Sequence, residues 1–232
     1  MTRRPIPLPL TMLIATFSAL AALALSGGMN MAQAHGNPSA GHEHGHGSAH
    51  VLLTPKAVAF EMQMRKLWED HITWTRLAII SLEGGTPDTD ATVARLLQNQ
   101  VDIGDAFEPY YGAATAHALT ALLRAHILIA ADLIAAAKAG DTAKLADVQA
   151  HWTANADQIA AALHSVNPRW GLDEMKDEMH MHLQLTTEEA VAHLQGDWTG
   201  DVAAYDRVHL HILHMADLLS AGVIDQFPKR FR

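Results

Sequence analysis

From Pro55 to the carboxyl terminus, apolar side chains recur at helical spacing, and only five short stretches interrupt the rhythm: EGGTPD (83–88), EPYYG (108–112), KAGDT (138–142), NPRWG (167–171) and LQGDWTGD (194–201). A period near 3.6 lays such residues along one stripe of a helix, and Gly, Pro and Asp stop one helix and start the next. Alternating strand patterns are scarce, and nothing resembles a βαβ unit. The pattern predicts helices near 56–83, 88–107, 112–139, 142–166, 171–184 and 187–225, with the last broken around Gly196 to Gly200. Thr186 and Glu189 have capping-box spacing and read as the start of the sixth. Short connections between long helices favour antiparallel neighbours, so the expected fold is all-α: an up-and-down bundle of about six helices.

The segment before Pro55 has a different character. Two arginines, an apolar run from about Leu8 to Leu25 and the small residues Ala32 and Ala34 read as a secretory signal peptide over 1–34. Residues 35–54 are rich in Gly, His, Ser and Pro and too poor in apolar side chains to offset the entropy of ordering, which predicts a disordered, His-rich arm. The helical domain then occupies 55–232. The chain contains no cysteine, so disulfides play no part in its stability. Without 1–34, 14 basic residues face 25 acidic ones, a formal charge of −11. Such a surface argues against nucleic acid as a partner and suits the attraction of cations. With the signal removed, no stable membrane anchor is expected.

Tracing each helix at about 100° per residue separates inward from outward histidines. His71 stands at the centre of the sector formed by Phe60, Met64, Leu67, Trp68, Trp74, Ala78 and Leu82, and His126 at the centre of one formed by Leu119, Leu122, Ala130, Leu133 and Ala137. His182 flanks Leu172, Met175, Met179 and Leu183, with Glu178 four residues earlier. On the last helix Val202, Tyr205, Ile212, Ala216, Leu219 and Val223 place His209 inside and Asp206 at the edge. An internal echo, HILIAADLI (126–134) against HILHMADLL (211–219), would pair His126 with His211 instead. Gln100 and Asn155 also fall in or beside apolar sectors and read as interhelical hydrogen-bonding groups.

A lone inward histidine is most simply a hydrogen-bonded core residue. Several from separate helices are harder to satisfy, because each buried nitrogen needs a partner, and one metal ion serves many at once. His71, His126, His182 and His209 or Asp206 would supply the nitrogen and oxygen ligands that Zn²⁺ or Cu²⁺ take in helical bundles. No glutamate stands three residues before any of these histidines, which excludes the paired Glu-x-x-His motifs of ferritin-like di-iron sites. In the arm, His42, His44, His46 and His50 present imidazoles on a flexible backbone, and cleavage after Ala34 would leave His35 as a terminal amine-and-imidazole chelate for Cu²⁺.

The stretches LWEDHITWTRLAIIS, PYYG, NADQIAAALHSVNPRW, HLQLTTEEAVAHL and DQFPKRF resemble a family of small exported bacterial all-helical proteins, over about residues 55 to 232. The resemblance implies export and a helical fold and carries no activity. A nucleotide-dependent transferase is not expected, since there is neither a Gly-rich phosphate loop nor a sheet to hold one. The leading expectation is a periplasmic or otherwise extracytoplasmic metal-binding protein, for copper or zinc with nickel next, serving storage, delivery or tolerance. A metal-dependent enzyme using the same histidines is the first alternative, and a helical interaction or sensory module without metal the second.

Overall fold

The computed structural model describes residues 54–232, so the signal and nearly all of the arm, with His35, His42, His44, His46 and His50, lie outside it. The described residues form six helices and no strand: α1 (Pro55–Gly84), α2 (Thr89–Tyr111), α3 (Ala113–Ala139), α4 (Thr142–Val166), α5 (Leu172–Gln195) and α6 (Trp198–Gln226). Each helix packs on its chain neighbour, and α6 closes back against α1.

The connections follow from local chemistry. At 140–141 and 196–197 a Gly–Asp pair divides the work: Gly140 and Gly196 adopt left-handed φ values of 69° and 71° to close one helix. Asp141 and Asp197 then accept from Lys144 N and Gly200 N to open the next. Thr54 caps α1 by accepting from Ala57 N, and Pro55 takes the first helical position, where its missing N–H costs nothing.

Two sequence expectations need correction here. α5 runs unbroken through 184–187, because Thr186 and Glu189 lie buried inside it: the Thr186 hydroxyl donates to His182 O, and Glu189 pairs with Arg76 of α1. With tertiary partners for both side chains, neither acts as a cap. The break expected around Gly196 to Gly200 does occur, at Gly196–Asp197, so α6 begins at Trp198 and contains Gly200. α2 also runs past 107 to Tyr111, with Pro109 inside its last turn.

Along the bundle the interior is layered. At one end Phe231 packs on Phe60 and Tyr110, and Trp170 lies against Phe107 and Tyr111, so the carboxyl-terminal segment seals the core. The middle layer holds imidazoles. At the other end of α1, α5 and α6 lies a layer of charges. α3 is long and apolar enough by composition to cross a membrane, and in this fold it packs on α1, α2 and α4.

Candidate metal centre

His71, His126 and His182, from α1, α3 and α5, are 3 to 4% exposed and converge on the middle layer. His182 is the hub: its ring centroid lies 5.7 Å from that of His71, 6.1 Å from that of His126 and 6.2 Å from that of His211. Trp68 meets His71 edge-on, and Trp152 packs against His126.

The fourth imidazole is His211. His209, which the sector of α6 placed inside, stacks on Tyr205 and reaches Glu69 at 3.3 Å on the outside of the bundle, and Asp206 is exposed. Val202, an apolar residue of the sector that points to His209, is 53% exposed. α6 is apolar around most of its circumference, so its buried face is chosen by α1 and α5. The echo between 126–134 and 211–219 carried the missing signal, since His126 and His211 both flank His182.

Hydrogen bonds set the tautomers. Asn155 Nδ2 donates to Leu122 O, which leaves Asn155 Oδ1 to accept from His126 Nδ1–H at 2.8 Å. His126 Nε2 therefore carries a lone pair, and it is buried without a hydrogen-bond partner. His182 Nδ1 is also buried and unpartnered. Gln100 Nε2 donates to Leu96 O and Asn99 Oδ1 and lies 3.2 Å from His71 Nδ1, while its Oε1 has no partner.

Six of the nine buried, unpartnered side-chain nitrogen and oxygen atoms among the described residues belong to residues in this layer or touching it: Trp68, Gln100, His126, Trp152, Glu178 and His182. Native interiors leave few such atoms, so their concentration at one level marks the layer as unusual.

Burial keeps these imidazoles neutral. It pushes His71 down to about 3, helped by nearby His126, and His126 to about 4 against the opposing effect of its hydrogen bond to Asn155. His182 falls well below its usual range through burial and then through His71, His126 and His211. At neutral pH the lone pairs are thus available without displacing a proton.

One helical turn further along, Thr75, Ala130 and Thr186 line an apolar cavity with Ala78, Leu96 and Ile127. The Thr75 and Thr186 hydroxyls donate back to His71 O and His182 O.

As they stand, no three His, Asp or Glu side chains among the described residues are close enough to hold one metal ion. No protein-family model matches the chain, and no curated protein or solved structure matches it.

Proposed function

We propose that this chain is an extracytoplasmic metal-binding protein that holds one copper or zinc ion among His71, His126 and His182, for storage, delivery or tolerance. The observation that supports this reading most directly is His126 Nε2, a lone pair oriented by Asn155, buried and unpartnered among imidazoles from two further helices. A buried acceptor without a donor costs about 1–3 kcal/mol, and an ion that takes several such nitrogens removes that cost.

The spacing is close to what an ion requires. Imidazoles bound tetrahedrally to one ion, at Zn–N distances of about 2.1 Å, have ring centroids about 5 Å apart. The separations of 5.7 and 6.1 Å at His182 exceed this by about 0.7 and about 1.1 Å, so loading calls for the rings to move inward by about 1 Å. Loading also calls for the Gln100 amide to turn, so that its unpartnered Oε1 accepts from His71 Nδ1–H and frees the other ring nitrogen. The acidic chain and the apolar leader with Ala32 and Ala34 support an exported cation binder.

Elemental analysis of untagged protein, followed by Zn²⁺ and Cu²⁺ titration, tests the reading. About one tightly held ion per chain is expected, and it should be lost in His71→Ala and His126→Ala and kept when residues 35–50 are deleted. Full metal content in both histidine variants sinks the core site. The separations between the rings favour one other reading, a metal-free buried imidazole network, which predicts no tight ion in any variant.

A further inference from the structure

A second constellation lies at the edge of the same layer, where α5 meets α6. His211 Nε2 lies 3.1 Å from Glu178 O, and because a carbonyl only accepts, that nitrogen carries the proton. In the neutral ring His211 Nδ1 is then a lone pair, and it faces Glu178 Oε2 at 3.6 Å. Oε2 is itself buried and without a donor. In the neutral ring, two unpartnered acceptors thus confront each other across that gap. On the other side of the carboxylate, His214 Nε2 lies 3.4 Å from Oε1.

These distances decide what belongs between the atoms. An ion about 2.1 Å from both atoms of a pair would see angles of about 118° at the 3.6 Å separation and about 108° at 3.4 Å, on either side of the tetrahedral value. A water about 2.8 Å from both atoms across 3.6 Å would sit at about 80° and bend each of its hydrogen bonds by about 12°, a bend that the ion does not require.

We propose that Glu178, His211 and His214 form a second divalent-cation seat, at the mouth of the buried imidazole layer. Glu178 and His211 are in place for it, and His214, 62% exposed, completes the set by a side-chain rotation with water in the open position. The planes of His211 and His182 lie within 18° of each other, so this seat adjoins the hub of the buried set. It binds in its own right and does not require the core site to be loaded.

Long-range ¹H–¹⁵N spectra of the full-length protein, titrated with Zn²⁺ alone, read each imidazole separately from those of the arm. The expected result is a coordination shift at His211 Nδ1 and at His214. Glu178→Gln, which keeps the shape and removes the charge, should weaken that response by about tenfold or more. The double variant His126→Ala/His182→Ala should leave it in place. Shifts confined to the arm, or to His71, His126 and His182, overturn the seat, whereas a response at His211 and His214 with none in the core upholds it and defeats the core site alone.

Discussion

Around His182 the bundle buries neutral rings with unpartnered nitrogens, whereas five residues beyond His71 on α1, at Arg76, it sets a cation between two buried carboxyl groups. Arg76 donates to Glu189 Oε1 at 2.8 Å and to both oxygens of Asp201 at 2.8 and 3.0 Å, and its guanidinium lies over the Tyr205 ring. His193 adds a contact to Asp201 at 3.0 Å. Burial alone would raise the Asp201 carboxyl, but Arg76 and His193 hold it low. Burial raises Glu189 to about 7 despite Arg76, and Glu83 to about 8, with Asp201 and Glu189 adding to that rise. The difference is one of composition: Arg76 ties α1, α5 and α6 together through its bonds to Glu189 and Asp201, with Glu189 Oε2 left unpartnered, while the imidazole layer has no cation and leaves ring nitrogens unpartnered.

The contrast is most exposed at Arg76. Arg76→Met strips Glu189 and Asp201 of their counter-charge and should cost about 3–5 kcal/mol by urea denaturation. A loss below about 1 kcal/mol would put the network on a level with surface pairs and end the comparison. Next is the effect of metal. Zn²⁺ at a hundredfold excess over its Kd should stabilise the wild type by about 2.7 kcal/mol, with most of that gain missing from His126→Ala/His182→Ala.

The two layers should also answer pH with opposite signs. Below about 6.5 the unfolded chain takes up protons that His71, His126 and His182 refuse when folded, so stability falls with pH down to about 4, by about 1.4 kcal/mol per unit per histidine. Glu189 has its folded value raised to about 7, so the folded state holds the extra proton and gains stability as pH drops through 7 towards 4.5. Denaturation curves between pH 4 and 8 should therefore pass through a maximum. His126→Gln should flatten the acid limb and Glu189→Gln the other, and unchanged limbs in these variants would refute the assignment.

Smaller effects sharpen the picture. Asn155→Ala leaves His126 Nδ1 unoriented, which should cost about 1 kcal/mol and about tenfold or more in Zn²⁺ affinity by calorimetry. Arg65→Ala breaks an exposed pair with Asp217 and should move stability by less than about 1 kcal/mol, with Zn²⁺ affinity unchanged.

The sequence by itself determined the helical class, the positions of all five breaks, with one more expected at 185–186 that does not occur, and the inward direction of His71, His126 and His182, because apolar periodicity and Gly–Asp punctuation act within one or two turns. It also marked Gln100 and Asn155 as groups needing interhelical partners. Only the tertiary structure decided that Thr186 and Glu189 stay inside a helix, since Arg76 lies more than a hundred residues away. It likewise decided that His211 and not His209 meets His182: on a helix apolar nearly all round, the face that is buried depends on its neighbours. Tautomers and unpartnered nitrogens follow the same rule, for they depend on what each ring touches across a helix interface and on nothing beside it in the chain.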